Sequence, residues 1–409
     1  MSRLAAWGLF AAGLAVRVSS FGFMGMDDMK AYVEWGDRAN AQGLAPAYSG
    51  IYFPFQWQIF QVCSGLVAAT GWPYPAVFKA ATLAFELGIL VLLARLLEDE
   101  GLSKSWVLVY WCHPTFLMFA VLGYIDAHYA FFCLLAAWLA NRARDARGFA
   151  IAGLPLAAAF LMKPQTLSLL AIAFFYAGAR WVRRGDRSGL ALFAAPLAVF
   201  AAYSVALALG GRSIWALALT VIGTTSVMPA MTANQLNMWF PVAWLVEPER
   251  PVYFVADTAA VLGPLTIRDL AAGLTLSLLA AYAWTLEAAR AREGGTARPS
   301  TFTLLFAFAS LVLPMVMTNA HENHFFLAGT LLVVLLARAQ PAEKVASHVL
   351  LALSGLNLFG LYGVGLNELS ARLLPLTSLR TAPVAAAGGA LAALCFALLA
   401  PFFLRLAEG

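Results

Sequence analysis

Long apolar segments recur from one end of the chain to the other, separated by short polar turns. An α-helix needs about 17 to 25 mostly apolar residues to cross a hydrocarbon layer ~30 Å thick. Since backbone groups in lipid must be hydrogen-bonded within the chain, these segments predict an all-α, polytopic transmembrane helical bundle. We place twelve spans at residues 4–20, 76–95, 105–121, 127–141, 149–162, 166–180, 189–209, 270–288, 301–318, 324–338, 345–362 and 383–404.

Composition supports this prediction. Hydrophobic residues make up 62% of the 409 positions and charged residues 11%, whereas soluble domains contain roughly 25% charged residues. A water-soluble fold could not bury so much apolar surface. The four cysteines lack the spacing of a metal site or a disulfide framework, so the sequence predicts neither feature.

Lysine and arginine accumulate in alternate turns, which sets the predicted orientation because short cytoplasmic loops are enriched in these residues. Both termini are predicted to be cytoplasmic, and the resulting cations explain the net charge of +5 without nucleic acid binding. The excess of arginine over lysine and the abundance of alanine favour a bacterial plasma (inner) membrane. The cations on the predicted cytoplasmic side are Arg3, Arg95, Lys104, Arg142, Arg144, Arg147, Arg180, Arg183, Arg184, Arg187, Arg290, Arg292, Arg298, Arg338, Lys344 and Arg405.

Three segments on the predicted extracytoplasmic side are too long to be simple turns, at residues 21–75, 210–269 and 363–382. Long loops in compact proteins are usually functional. The first two contain Trp and Tyr, which anchor at headgroup depth, and the first includes a stretch that suits an interfacial helix. Residues 1–409 are therefore predicted to form one domain that works at this face.

Two adjacent carboxylates, Asp27 and Asp28, follow the first span. Partial loss of water at the membrane surface can make such a carboxylate a useful base. Asp at this place also commonly caps the N-terminus of a helix. The position alone allows both interpretations.

Further ionisable residues lie in later turns on the same side. Asp126 and His128 lie close to hydrocarbon, where charged groups are functional candidates, although the two could also pair with each other. Lys163 could bind a phosphate as a point charge, or its side chain could extend along the interface towards water.

The turn between the ninth and tenth spans holds His321, Glu322 and His324. Its spacing is not the His-Glu-x-x-His zinc arrangement, because the second imidazole comes one residue too early. A divalent metal is possible but not favoured, and hydrogen bonding or charge assistance to an anionic ligand is preferred. No cofactor is predicted.

Some polar positions fall inside spans. An unpaired Glu86 in mid-span would cost at least ~2.5 to 3.5 kcal/mol, so this residue needs a partner or a wet cavity. His113 and Pro114 predict a kink in the third span. His348 is interpreted as structural.

Several of these positions, in order, resemble motifs of the C-type (GT-C) polytopic glycosyltransferases. Asp28, Tyr32 and Trp35 match an Asp followed by Tyr and Trp at helical spacing in the first loop of that family. The other matches are Tyr52-Phe53-Pro54, His113-Pro114 with Gly123 to His128, Lys163-Pro164-Gln165, Asn237-Met238-Trp239 and His321 to Phe325.

The resemblance implies an inverting transfer of a mannose-like sugar from a polyprenyl-phosphate donor to a lipid, glycan or protein acceptor. Asp28 matches the position of the catalytic base better than Asp27, while His113 and His324 replace an Asn and an Arg of the family pattern. The substrate-binding residues that it implies are Tyr32, Trp35, Tyr52, Asp126, His128, Lys163, Gln165, Arg212, Asn237, Trp239, His321, Glu322, His324 and Arg372.

A secondary transporter or lipid flippase is the competing prediction, since twelve spans with both ends inside is also a common transporter layout. Transporters place their polar residues near the bilayer midplane, on broken helices. Here most candidates lie at the outer rim, with Glu86 as the main exception.

Overall fold

The computed structural model describes residues 2–50, 52–224, 229–247, 255–292, 301–362 and 383–408. The predicted loop at 363–382, with Arg372, lies outside them. The described α-helices are α1 (Arg3–Ser19), α2 (Asp28–Gln42), α3 (Leu44–Ala47), α4 (Pro54–Thr70), α5 (Tyr74–Asp99), α6 (Val107–Cys112), α7 (Pro114–Leu122), α8 (Asp126–Arg142), α9 (Ala146–Phe160), α10 (Thr166–Arg184), α11 (Ala194–Leu209), α12 (Ala216–Thr224), α13 (Trp239–Val246), α14 (Ile267–Arg292), α15 (Thr301–Val316), α16 (Phe326–Leu336), α17 (Pro341–Tyr362) and α18 (Pro383–Glu408).

Other regular structure is minor among the described residues. Short 3-10 helices at Lys104–Trp106 and Ser188–Phe193 lead into α6 and α11. Strands β1 (Ala260–Leu262) and β2 (Leu265–Thr266) pair antiparallel in the second long loop. The predicted helical fold class is therefore confirmed.

Within the described residues, five helical segments are long and apolar enough to cross a membrane. The segment Lys104–Leu122 is a sixth if its bent halves count as one span. The five are Tyr74–Asp99, Ser188–Leu209, Ile267–Arg292, Pro341–Tyr362 and Ala386–Ala407. Each coincides with a predicted span, whereas the layout of twelve spans stays a prediction.

The predicted kink at Pro114 is confirmed. The two halves of the segment, α6 and α7, meet at 54°. Proline lacks an N–H and disfavours helical backbone in the preceding residue, and His113 is extended, with φ −64° and ψ 131°. The Nδ1 of His113 accepts the backbone N–H of Thr115 at 3.3 Å and so caps α7.

Helices α15 and α16 form the centre of the bundle. They have 16 and 11 residues, and nearly every side chain on both is buried. A helix that is apolar around its whole circumference is stable only when other helices surround it. Because other helices surround both of them, the turn that joins α15 to α16 lies at the centre of one end of the bundle.

One end of the bundle is lined by arginine–carboxylate pairs. They lie at the C-terminal ends of α8, α10, α16 and α18, in the last turn or just beyond it, and all four arginines belong to the predicted cytoplasmic set. The pairs are Arg142 with Asp99, Arg184 with Glu287, Arg338 with Glu100, and Arg405 with Glu343. The opposite end, where α8 and α16 begin, holds one such pair among the described residues, Arg268 with Asp257, and Arg268 is outside the predicted cytoplasmic set.

Glu86 has the partner that its position requires. The guanidinium of Arg17 contacts both carboxylate oxygens, with Nε to Oε2 at 2.9 Å and Nη2 to Oε1 at 3.2 Å. Arg17 also donates to the carbonyl oxygens of Gly13 and Trp111. The pair is buried, and these bidentate contacts offset the loss of water around both charges.

Helices α2 and α4 pack closely as a hairpin. Asn40 donates to the carbonyl of Gln61 at 3.1 Å, and Gln61 returns a bond of 3.1 Å to the carbonyl of Ala39. Gly36 permits this approach, since a Cβ there would lie 2.5 Å from the carbonyl oxygen of Phe60. The hairpin fixes the first turn of α2, which carries Asp28.

We expect Gly36→Ala to destabilise the protein by about 1–3 kcal/mol, because the added methyl group overpacks the contact with α4. Gly65→Ala, in the facing helix, is the matched control, since a Cβ there would come no closer than 3.9 Å to Asn40. Ala is the better helix former by up to about 1 kcal/mol, so the control should be neutral or stabilising. Thermal unfolding in detergent would compare the two, and equal melting temperatures would contradict the packing argument.

Candidate functional site

The turn between α15 and α16 is held by the second long loop. The backbone N–H groups of Ala233 and Gln235 donate to the carbonyl of Ala320 at 2.9 and 3.2 Å, and Asn319 donates to the carbonyl of Ala230 at 2.9 Å. Asn319 adopts φ +56°, a left-handed conformation that Asn tolerates better than most residues. The pairing presents His321 and the residues after it at the end of the bundle opposite the arginine pairs.

A buried clamp adds to this attachment. Asp257 receives two bonds from Arg268, at 2.9 and 2.7 Å, and one from the hydroxyl of Thr318 at 2.7 Å. Thr318 begins the turn that carries the histidines. The clamp therefore fixes the turn from its first residue.

Glu322 points into the protein between two tyrosines. The hydroxyls of Tyr124 and Tyr362 both donate to its Oε1 at 2.7 Å. Tyr124 follows α7 and Tyr362 ends α17, so one carboxylate oxygen links three separate parts of the chain. Oε2 has no hydrogen-bond partner within the described residues. The role of Tyr362 was not predicted, because a tyrosine at the end of a span is also typical of a simple interfacial anchor.

Asp126 and Lys163 form a buried ion pair. The distance from Nζ to Oδ1 is 2.7 Å, and the side chains are 0% and 2% exposed, respectively. The interpretation of Lys163 as a side chain reaching towards water is therefore wrong. Asp126 begins α8 and Lys163 follows α9, so the pair also joins two packed helices at the end of the bundle opposite the four arginine pairs.

His128 belongs to the core. Its ring lies between Gln56, at 3.3 Å from Nδ1, and the hydroxyl of Thr82, at 3.0 Å from Nε2. The suggested pairing with Asp126 is wrong, since two positions on a helix differ by about 200° in direction. No contact with the described parts of the chain assigns His128 to the site, and its two hydrogen bonds favour a structural role.

His324 and Gln165 join the turn to the start of α10. The side-chain amide of Gln165 is in hydrogen-bond contact with Nε2 of His324. Nδ1 of His324 accepts the backbone N–H of His321 at 3.3 Å. Burial lowers the pKa of His321, and the nearby Glu322 partly offsets that effect. His321 is therefore neutral near pH 7, contrary to a role as a full cation.

The first turn of α2 separates the two adjacent aspartates. Asp27 is 94% exposed on its side chain and contacts Lys30 at 3.2 Å, and it makes no capping hydrogen bond. Asp28 lies near Glu322 and Lys163. Loss of water to the surrounding protein raises the pKa of Asp28, the charge of Glu322 raises it further, and Lys163 acts in the opposite direction. Asp28 stays open to solvent on its remaining side. The geometry thus favours Asp28 over Asp27 as a base.

Aromatic side chains form a wall beside Asp28. Tyr32 stacks on Phe60 with 4.5 Å between ring centroids, and Tyr52 lies edge-on to Tyr32 at 6.2 Å. Burial raises the pKa of both tyrosines, and the charge of Asp28 adds to the effect. Trp35 lies 5.9 Å from Tyr52. All three predicted aromatic residues therefore lie in one patch next to Asp28.

Three other predicted residues have structural contacts instead. Asn237 donates to the carbonyls of Pro314 and Met317, at 3.1 and 3.4 Å, and Trp239 donates to that of Val316 at 2.6 Å. These carbonyls end α15, where no helical N–H remains to bind them. Arg212 donates to the carbonyls of two residues in α3. The Asn-x-Trp motif therefore ties the second loop to α15.

The polar cluster, defined here as Asp28, Asp126, Lys163, His321 and Glu322, combines an accessible carboxylate with a buried cation and a neutral imidazole. No group of three or more His, Cys, Asp or Glu among the described residues could hold a metal ion. Such a set can accept a proton at Asp28 and donate hydrogen bonds from Lys163 and His321. No protein-family model matches the chain, and neither a curated protein nor a solved structure is significantly similar to it.

Proposed function

We propose that the protein is an inverting glycosyltransferase of the bacterial plasma membrane. It moves a mannose-like sugar from a polyprenyl-phosphate donor to a lipid, glycan or protein acceptor on the extracytoplasmic face. The observation that carries the proposal is Asp28, an accessible carboxylate whose pKa is raised beside a buried Lys163. The order of matched motifs along the chain adds support.

In the proposed reaction, Asp28 takes the proton of an acceptor hydroxyl as that oxygen attacks the anomeric carbon. The bond from the anomeric carbon to the phosphate oxygen breaks on the opposite face, so the configuration inverts. The polyprenyl phosphate leaves with the bonding electron pair. A raised pKa suits this role, because a base works best when its pKa lies near the working pH.

Lys163 and His321 are the proposed donors to the leaving phosphate. A lysine ammonium has three N–H groups, and the described residues provide Lys163 with one hydrogen-bond acceptor, on Asp126. The remaining N–H groups are available to a ligand. Donors fixed in place before the reaction stabilise developing negative charge without reorganisation at that moment.

The distribution of charge supports the proposed orientation. Four arginine–carboxylate pairs lie at one end of the bundle, while the polar cluster lies at the other, where α8 begins and where Arg268 pairs with Asp257. Cytoplasmic loops are enriched in arginine and lysine. With twelve spans and both termini inside, the cluster would face the extracytoplasmic side, where the polyprenyl chain could enter from the membrane.

The test is transfer of radiolabelled sugar in proteoliposomes containing the purified protein. Polyprenyl-phosphate-mannose and a panel of related donors would be supplied with membrane lipids and glycans as acceptors. Product that depends on both donor and protein, with inverted anomeric configuration, would support the proposal. The absence of transfer across the panel would contradict it.

Changing the charge of Glu322 should shift the pH profile of transfer. Asp28 acts while deprotonated, so activity is lost as the pH falls through its pKa, and the raised pKa places this loss at higher pH than for an ordinary aspartate. Glu322→Gln removes one cause of the elevation, so we expect the acidic limb to move to lower pH. Glu34→Gln changes an exposed carboxylate on α2, the helix that carries Asp28, and should leave the acidic limb in place. An unmoved limb in Glu322→Gln would count against Asp28 as the base.

A secondary transporter is the second candidate, and one observation favours it. Glu86, in the middle of α5, forms a buried pair with Arg17, in a position where transporters hold coupling charges. Proteoliposomes that move a lipid-linked or anionic substrate across the bilayer without forming a glycosidic bond would support this alternative.

A further inference from the structure

Lys79 is a buried lysine on α5 that neither the motifs nor the proposed reaction uses. Its Nζ donates to three backbone carbonyl oxygens, those of Ser20 at 3.0 Å, Phe23 at 2.6 Å and Val121 at 2.6 Å. The side chain is buried. Three acceptors match the three N–H groups of an ammonium, so its donors are fully used.

These carbonyls belong to two segments that approach each other at the end of the bundle. Ser20 follows α1, and Phe23 lies in the turn that leads to α2, whereas Val121 lies in the last turn of α7. Carbonyls at the end of a helix lack helical donors and carry partial negative charge. Lys79 therefore joins the two segments through the carbonyls of Phe23 and Val121, and it adds a bond to the carbonyl of Ser20, which also accepts the backbone N–H of Phe23 at 3.0 Å.

Further contacts hold the two segments together beside Lys79, and this contact between residues 20–26 and residues 121–123 is called the junction below. The backbone N–H of Met26 donates to the carbonyl of Leu122 at 3.1 Å. Gly25 and Gly123 have φ of +89° and +76°. A Cβ on Gly25 would lie 2.1 Å from the carbonyl oxygen of Leu122, and one on Gly123 would lie 2.4 Å from the side chain of Met29. The junction therefore leaves little space for either segment to shift.

Both sides of the polar cluster start from this junction. From Phe23 the chain reaches Asp28 within five residues, and from Val121 it reaches Tyr124 and Asp126. Tyr124 binds Glu322, and Asp126 binds Lys163. The location of Asp28 relative to these groups thus depends on the contacts that Lys79 makes.

We propose that Lys79 is a positioning residue, which holds Asp28 at its place beside Lys163 and Glu322. The inference rests on the proposed function, since it assigns Lys79 to the reaction of Asp28. Lys79 does not contact the reacting atoms. It acts through the backbone of the segment that leads into α2.

The kinetic test compares Lys79→Gln with Lys30→Gln, an exposed change on α2. In folded Lys79→Gln we expect kcat to fall at least about 10-fold with KM for the donor nearly unchanged, because the base is displaced while the phosphate donors remain. The acidic limb of the pH profile should move to lower pH, because burial is the largest cause of the raised pKa of Asp28 and a displaced carboxylate regains water. Separation from Glu322 acts in the same direction, and separation from Lys163 acts in the opposite one. Lys30→Gln should match the wild type. Unchanged kcat and pH profile in Lys79→Gln would overturn the proposal.

A spectroscopic test does not depend on transfer. Spin labels at Asp27→Cys and Trp72→Cys would report the distance from the start of α2 to the start of α5 in the full-length protein. Cys112, which is partly exposed, would be changed to Ser so that it does not take up label, whereas the other three cysteines are buried. We expect one narrow distance distribution with Lys79 and a broad or shifted one in Lys79→Gln. An identical narrow distribution would overturn the proposal.

The two proposals can fail separately. A broadened distribution in a protein without transfer activity would contradict the proposed function but retain the positioning of α2 by Lys79. If Lys79→Gln does not fold, Gly25→Ala opens the same junction from the other side by its contact with Leu122. The kinetic and distance changes expected for Lys79→Gln apply equally to Gly25→Ala, and wild-type behaviour of that variant would overturn the proposal.

Discussion

Asp28→Asn is expected to reduce sugar transfer by about 10²- to 10⁴-fold, the usual contribution of a positioned general base. Asn keeps the size and shape of Asp but cannot take a proton from the acceptor hydroxyl. Asp28 is open to solvent, so the substitution should leave the fold intact. Initial rates of transfer in proteoliposomes would measure the effect, and unfolding temperatures would verify the fold.

Asp27→Asn is the matched control, one position away in the same turn. Its carboxylate is exposed and contacts Lys30 rather than the cluster, so near wild-type transfer is expected. Transfer that survives Asp28→Asn but disappears in Asp27→Asn would assign the base to the neighbouring residue. Equal loss in both variants would indicate a disturbed first turn of α2 instead of a catalytic effect.

Arg17→Met is expected to destabilise the protein by about 3–5 kcal/mol, because it leaves the buried charge of Glu86 without its partner. Glu86→Leu should have a similar effect by isolating Arg17. Replacing both residues removes both charges from the interior, and such replacements are often neutral or stabilising. The double variant should therefore recover much of the lost stability. Thermal unfolding of the four proteins in detergent would give the coupling between the two sites.

Arg95→Met provides the control for loss of an arginine. Arg95 lies about one turn before the end of α5 and contacts Glu98 at 3.0 Å, and both side chains are exposed to water. Exposed pairs contribute little, so the unfolding temperature should stay close to that of the wild type. Additive losses in the double variant of Arg17 and Glu86 would show that the two charges do not stabilise each other.

The sequence by itself determined the class of structure. Its apolar segments predicted helices of a membrane protein, and proline at position 114 predicted the bend between α6 and α7, since a missing N–H acts locally. The sequence also predicted that Glu86 requires a partner, because the cost of an isolated charge in an apolar span depends only on its surroundings. It did not identify Arg17, which is 69 residues away.

Only the tertiary structure decided which polar residues meet. Local spacing suggested that Asp126 pairs with His128, but the turn of the helix directs them apart, and Lys163 binds Asp126 from another helix. Asn237 and Trp239 complete the end of α15, a role visible only when α15 is in place.

The tertiary structure also decided how long the central helices are and which residues form the polar cluster. The apolar residues at 301–318 predicted a membrane span, yet α15 has only 16 residues and is enclosed by other helices. The pattern could not show this, because a helix surrounded by protein and a helix surrounded by lipid are apolar in the same way. Glu322 receives Tyr124 from 198 positions away and Tyr362 from 40 positions away. Contacts between distant segments depend on how whole helices pack, and spacing along the chain carries no record of that packing.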